Sequence, residues 1–407
     1  MKIKGIIFTN LILFCTATGI IFNTDIYGQK DSIKDKPLFA EGNGISIVSK
    51  DSLYKVDFGF RIQNRVDINT ESLSDFTVQN ISAQVRRFRL KFDGFVYDPN
   101  LTYKIELSLS GRDLGNTPGR VPHVIRDAVI KYRFNKFFQI SFGQNKLPGN
   151  LERLVSSGDL QLVDRSIVNS LLNIDRDIGF QGKYTINPNS DRLLILQGAI
   201  TTGEGMNRVL EVNNGLSYTS RIEYYPLGKF KSDGAYFEGD LLVEESPKLM
   251  AGIVFNYNAS AYQNGGQRGI DLYEERNIRH WMADVILKYS GWAIQSEFIK
   301  RFSNDPITTS PDVSDIVYVY NGQGFTIQAS KYFPSSWEVT GRFSTVDPLG
   351  EVEVFEPQQR QWTIGISRYL RDHNLKIQSD LSLNERIMPS GEENNNWALR
   401  FQVELGI

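Results

Sequence analysis

Tyr54-Lys55-Val56-Asp57-Phe58-Gly59-Phe60-Arg61-Ile62 sets apolar side chains on every even position and ionic or small ones on every odd position. Successive side chains of a strand point to opposite faces, so the stretch reads as a β-strand with one greasy face and one charged face. The same period returns in Phe88, Leu90 and Phe92 against Arg87, Arg89, Lys91 and Asp93, and in Leu101, Tyr103, Ile105, Leu107 and Leu109 against Thr102, Lys104, Glu106 and Ser108. It recurs over 178–186, 249–257, 281–289, 292–298, 325–329, 337–345, 362–366, 375–383 and 397–407. Less regular candidates near 126–133, 137–143, 192–200 and 216–225 bring the total to about sixteen strands by alternation.

Composition fits such a chain. The 407 residues would ordinarily suggest two or three domains, but aromatics reach 12%, glycines number 34, and there are one cysteine and three histidines. After the N-terminal leader no apolar run approaches the roughly 18 residues a spanning helix needs, which excludes a helical membrane protein. The aromatic content excludes a disordered chain. A net charge of -2 gives no basic footprint for nucleic acid, so no nucleic-acid partner is expected.

Residues 1–28 read as a secretory signal: Lys2 and Lys4 open it, 6–20 are apolar, and Gly28 precedes Gln29. A retained N-terminal anchor is the alternative. Cys15 falls inside this segment, and Phe14 before it argues against lipid attachment. The exported chain then has no cysteine, hence no disulfide and no Cys/His zinc spacing. Residues 29–52 are polar and rich in Lys and Asp, which reads as a flexible periplasmic lead; 53–407 would form one barrel.

Short turn signals such as Tyr97-Asp98-Pro99-Asn100, Asn187-Pro188-Asn189, Phe333-Pro334-Ser335-Ser336 and Arg371-Asp372-His373-Asn374 separate some strands. Longer polar stretches at 110–122, 202–214, 259–279, 303–323, 346–360 and 384–396 separate the others. Short turns on one rim and long loops on the other is the layout of an outer-membrane barrel. In hydrocarbon every backbone N–H and C=O needs a partner within the protein, and without helices only a closed sheet provides one. The expected fold is therefore all-β, a transmembrane antiparallel barrel, with membrane lipid and lipopolysaccharide around it and its charged face lining water. Trp281, Trp292, Trp337, Trp362 and Trp397 fall at or near expected strand ends, as interfacial girdles require. A soluble β-sandwich or propeller also alternates, but charges at nearly every second position leave no second apolar face, and no repeat of blade length is evident.

The sharpest local feature is Arg86-Arg87-Phe88-Arg89-Leu90-Lys91. Alternation puts Arg87, Arg89 and Lys91 on the lumen side about 6.5–7 Å apart, a ladder of weak anion sites up one wall. Lys131 and Arg133 extend it on the neighbouring strand. The competing reading is charge balance with Asp93, Glu106 and Asp127 across strands. A connection of over thirty residues then follows 137–143 without clear alternation, far longer than a hairpin needs, and is expected to fold inward and narrow the channel. Lys146 and Arg153 are its basic candidates.

The RRFRL-KFDG strand (86–94), the GQNKLP segment (143–148), Asp164-Arg165-Ser166, Arg176-Asp177-Ile178-Gly179, and the late strands GWAIQSEF, GFTIQASKYF and WEVTGRFS together resemble the phosphate-selective porins of the O and P type. The resemblance runs from about residue 54 to the end. It implies a sixteen-stranded outer-membrane barrel, a homotrimer, passing small anions, phosphate among them, through an Arg/Lys constriction. Carried onto this chain, Arg87, Arg89 and Lys91 are the ladder and Lys146 reaches the narrow point. Two features depart from it. Lys146, Arg153, Arg165 and Arg176 are interleaved with Glu152, Asp159, Asp164, Asp175 and Asp177, which leaves phosphate selectivity open, and the chain ends in Ile407 where such barrels usually carry an aromatic.

An outer-membrane hydrolase would need a nucleophile beside a base. His123, His280 and His373 each fall at an expected turn or strand end, no HExxH or GxSxG occurs, and no phosphate-binding glycine loop calls for a cofactor. No enzyme, cofactor or metal is expected. A non-conducting structural or secretion-associated barrel, binding a partner through its loops, is the alternative to a pore.

Overall fold

The computed structural model describes residues 45–74, 77–115, 122–188, 190, 192–208 and 215–407, so the expected signal segment 1–28 lies outside the described residues. Sixteen long strands form one antiparallel sheet. They are β1 (Tyr54–Thr70), β2 (Val78–Val96), β3 (Asp98–Ser108), β4 (Ile125–Arg133), β5 (Phe138–Lys146), β6 (Arg176–Ile186), β7 (Leu193–Thr201) and β8 (Ser217–Tyr225). The second half comprises β9 (Lys248–Gln263), β10 (Asp271–Tyr289), β11 (Trp292–Phe302), β12 (Gly322–Tyr332), β13 (Trp337–Pro348), β14 (Gln358–Arg371), β15 (Leu375–Ile387) and β16 (Asn396–Gly406). Each pairs with the next, and β16 returns to β1 from Ala398↔Asn69 to Gly406↔Arg61, so the sheet closes.

The seam is completed by the N-terminal end of the described chain. Ile45–Val48 pairs with residues 55–58 of β1 in the direction of β16 and takes over the row where β16 stops. The Ile407 amide donates to the Phe60 carbonyl at 3.0 Å. A Cβ on Gly59 would lie 2.6 Å from the Ile407 carbonyl oxygen, so glycine is what fits at the joint. Residues 45–52, expected to be part of the flexible lead, are thus a hairpin with β1. The cause is the unpaired backbone that β1 presents beyond the end of β16.

The outer face is apolar. Ile253, Phe180 and Ile364 stand 60% exposed or more, each alternating with a buried or half-buried lumen residue. Among the described residues no helix is long and apolar enough to cross a membrane, and the strands cross instead. Trp292 and Trp337 open strands at the short-turn rim, stacked by Lys331 and Arg368 at 5.3 Å. Trp281, Trp362 and Trp397 form the opposite girdle. Eight residues from Trp281 to Tyr289, at ~3.3 Å each and tilted by ~40°, span roughly 20 Å, close to the apolar band of an outer membrane.

Connections on one rim are short, as at 290–291, 333–336 and 372–374. One of them, 226–247, is long, contains a 3₁₀ turn at Lys231–Tyr236, and folds into the barrel; the sequence reading had not singled it out. The stretch 259–279, expected to be a loop, is largely strand, because β9 and β10 run on past the bilayer. There Ala261, Leu272 and Ile278 pack on Val317 and Val319 of a small hairpin rather than on lipid, which removes the alternation.

The lumen face is not all water-lined, contrary to expectation. Leu193, Ile195, Met250 and Ile286 point inward and bury Leu151, Val155, Leu160, Phe230 and Ala235. Higher up, Val254, Met282, Ile299 and Val346 bury Leu147, Val168, Leu172 and Ile174. Half of the wall therefore carries a hydrophobic core made with two inserted loops, and the other half carries ions.

Ile364→Lys places a charge on the lipid face at a cost of about 2–4 kcal/mol near mid-bilayer. Heat-modifiable gel migration should show reduced folded barrel, and an unchanged folded fraction would mean the faces are assigned the wrong way round.

Candidate functional site

Loop 147–175 leaves the end of β5 and crosses the lumen. It contains α1 (Leu151–Leu154) and α2 (Ile167–Leu172), the latter capped by Ser166, whose hydroxyl accepts from the Asn169 amide at 3.1 Å. Wall side chains hold its backbone. Arg221, fully buried between Asp284 at 2.6 Å and Glu223 at 2.6 Å, donates to the Gly149 carbonyl at 3.0 Å. A Cβ on Gly252 would meet Asp284 Oδ1 at 2.3 Å, so a glycine makes room for this triad. Glu297 accepts from Asn150 at 2.8 Å and from the Glu152 amide. Lys376 donates to the Gly158 and Leu160 carbonyls at 2.7 Å each, and Asp380 accepts from the Val163 amide at 2.9 Å. The inward fold of this loop stands as expected from its length.

Connection 226–247 braces the loop from the other rim. The Gln161 amide donates to Glu238 at 2.8 Å, and Lys288 donates to the Gly234 and Phe237 carbonyls at 2.6 and 2.8 Å.

Between loop 147–175 and the wall of β1–β6 lies a cavity of about 400 Å³. Its lining holds fourteen lysines and arginines against three carboxylates, Glu106, Asp113 and Asp164. Arg87, Arg89 and Lys91 all line it. Arg87 donates to Gln63 at 2.6 Å and lies 3.7 Å from Asp164; Arg89 is paired with Glu106 at 2.7 Å and Asp113 at 2.8 Å. Lys91 and Arg126 have no ion pair among the described residues.

Lys146 and Arg153 also line the cavity, as braces. Lys146 donates to the Leu154 carbonyl at 2.9 Å and Arg153 Nε to Asp175 at 2.9 Å. Lys131 lines a smaller pocket nearer the turn rim with Lys55, Asp57 and Asp93, and Arg133 is exposed at the end of β4; neither borders the main cavity.

Several cavity cations were not in the expected set. Arg86, at a position that alternation gives to lipid, faces inward because a bulge between Asn64↔Val85 and Gln63↔Arg87 inserts one residue. Arg86 then sits 3.4 Å from Asp113. The phase slip was readable: outward residues are odd through Ile81, Ala83 and Val85 and even from Phe88 on. Arg268, in the connection after β9, reaches across to the Ser170 carbonyl at the end of α2. No sequence signal marks that reach.

The mixed charge of the loop resolves in space. Asp177 turns away to accept from the Gly203 and Gly205 amides, at 2.6 and 3.1 Å, and Glu152 accepts from the Ser166 amide and hydroxyl at 2.6 Å each. Asp175 is held by Arg153 and Arg176. Glu152 and Asp175 are thus spent on the loop's own anchorage, Asp164 remains at the cavity against Arg65, Arg86 and Arg87, and the loop's bases Arg153 and Arg165 border the same space. His280, expected at a strand end, is fully buried within β10 with Nδ1 3.2 Å from Asn256 Oδ1.

A closed barrel with an apolar outer belt, two aromatic girdles and an ion-lined lumen narrowed by an inserted loop is an outer-membrane channel of the porin class. The chain belongs to the phosphate-selective porin O and P family, whose model matches residues 56–387. That places it in the Gram-negative outer membrane. The outer membrane channel DcaP of Acinetobacter baumannii superposes with a TM-score of 0.54 at 11% identity, covering 89% of this chain and 99% of that one. The anion-selective porin from Comamonas acidovorans gives 0.52 at 10%, covering 87% and 100%. The trimer form of OmpT of Vibrio cholerae gives 0.50 at 12%, covering 86% and 99%. At these identities the likeness is one of fold. No curated protein sequence matches the chain significantly.

Lys376→Met removes two charge-assisted bonds, each worth about 1.5–3 kcal/mol, from the loop backbone. Single-channel recording should show a noisier and larger conductance, whereas an unaltered trace would show that the loop is held elsewhere.

Proposed function

We propose that the channel passes small anions by diffusion, phosphate among them, with Arg87, Arg89 and Lys91 and the loop residues Lys146 and Arg153 shaping the field. The observation that carries this is the lining of the cavity, fourteen bases against three acids. In a narrow space walled by low-dielectric protein, unit charges interact several-fold more strongly than in bulk water, so an excess of this size favours anions and repels cations. Lys91 and Arg126, without an ion pair among the described residues, are the cations with most to offer; Arg89 is largely neutralised by its carboxylates and sets the position of Asp113. Lys131 below the cavity prolongs the basic path towards the turn rim. The reading also includes a homotrimer, supported by the family resemblance and by the trimer form of a fold relative.

The opposing reading, a silent scaffold, draws on the two inserted loops that fill half of the lumen. The remaining cavity is hydrophilic on nearly every side, which suits a water path.

Planar-bilayer recording in a KCl gradient should give a zero-current potential on the chloride side, and the triple change Arg87→Gln, Lys91→Gln, Arg126→Gln should move it towards zero. A potassium-selective wild type would end this reading, as would absence of conductance from correctly folded protein.

A further inference from the structure

Arg279 departs from the apolar outer face. By alternation it points outward from β10, two residues or ~6.5 Å beyond Trp281 on the long-loop side. Its guanidinium lies against the rings of Tyr257 and Phe302, with centroids at 5.6 and 5.7 Å. Lys300, the register partner of Trp281, points outward from β11 beside it. The neighbouring Arg276 is paired with Glu274 and Asp305, whereas Arg279 and Lys300 have no ion pair among the described residues. The first acid on the Lys300 row is Asp347, two strands away beyond Gln323.

A groove of about 470 Å³ opens on the same face, across β5–β9, walled by Phe180, Ile200 and Tyr218. Its floor is the register row Gly182, Gly198 and Ser220, and that row continues through Phe255 and Trp281 to Lys300. The row sinks across the apolar belt, since Trp281 stands eight residues from the end of β10 at Tyr289 and Gly182 four from the end of β6 at Ile186. Phe255 and Trp281, with ring centroids 4.6 Å apart, join the groove to the cations. The barrel itself does not demand glycine there: a Cβ would meet nothing nearer than 4.0 Å at Gly182 and 3.9 Å at Gly198, and the pairing of β6, β7 and β8 runs without a shift. Close approach of a ligand is a use of strand glycine that fits both positions.

An arginine held against rings keeps its N–H edge for an oxyanion, and phosphate oxygens accept from it in pairs. A lipid with phosphate at the interface and an acyl chain below it answers the cations and the groove together. The cations stand on the long-loop side, hence at the outer leaflet, which in a Gram-negative outer membrane presents lipopolysaccharide. We propose that this face seats one lipopolysaccharide molecule, a lipid A phosphate on Arg279 and Lys300 and an acyl chain in the groove across β5–β9. The site lies on the outer wall and stands apart from the anion reading of the lumen.

Native mass spectrometry of the folded full-length chain in detergent tests it, with rough lipopolysaccharide and phosphatidylglycerol as probes. One lipopolysaccharide per chain should be retained at a concentration about tenfold below that needed for phosphatidylglycerol. The double change Arg279→Gln, Lys300→Gln should weaken lipopolysaccharide binding about tenfold, as two partly exposed phosphate contacts warrant; Lys300→Gln alone serves if the double variant does not fold. Gly198→Leu, which fills the groove and leaves every charge in place, should weaken it too, with heat-modifiable gel migration unchanged. Equal retention of phosphatidylglycerol overturns the proposal, as does lipopolysaccharide binding unmoved by the charge variants or by Gly198→Leu. Loss of subunits from lipid-free Gly198→Leu also overturns it and gives this face to a second copy of the chain.

Discussion

A bilayer offers no hydrogen bonds, and the rest of this structure follows from that. Sixteen strands satisfy their backbone only by closing, and the closure from β16 to β1 is prolonged by Ile45–Val48 at the place where β16 ends. Once closed, a sheet with alternating side chains has one place for its ions, the inside. The charges of the lumen are thus a consequence of how the outside must look, and selectivity arises from which of them remain unpaired.

Here the pairing is uneven. Where loop 147–175 and connection 226–247 are inserted, the wall carboxylates Asp284, Glu297 and Asp380, with Glu238 of the connection, hold loop amides. Acids used in this way do not face the open space. On the wall of β1–β6 Arg65, Arg86, Arg87, Arg89, Lys104 and Arg176 also hold carboxylates, but bases outnumber acids around the cavity, and Lys91 and Arg126 have no ion pair among the described residues, in a chain whose overall charge is slightly negative. The buried Arg221 between Asp284 and Glu223 serves the same end by fixing the start of the loop; removing one partner from such a buried group costs about 3–5 kcal/mol.

The barrel was legible because one periodicity served both the backbone and the membrane. Strand count, rim asymmetry, girdles and the inward loop all follow from it. What escaped was set by contacts that break the period. Leu193 to Leu196 is apolar on both phases because the lumen side packs on Phe230 and its neighbours, and that continuous run was the available sign of an inserted connection. Arg86 was hidden by a bulge, although the phase slip between Val85 and Phe88 marks it. Arg87, Arg89 and Lys91 fell on the cavity from alternation alone, whereas Lys131 and Arg133 lie too near the turn rim, a matter of depth that alternation does not encode. Arg268 depends on a fold-back that no local pattern specifies, and the removal of Asp177 from the cavity depends on glycine amides of a different connection.

The central claim is that an unbalanced positive field occupies the space between loop 147–175 and β1–β6. Anomalous diffraction from crystals of the full chain soaked in rubidium bromide tests it directly. Bromide peaks beside Lys91 and Arg126, with rubidium absent from the cavity, are the predicted result; rubidium ordered there and bromide confined to the outer rims would contradict it.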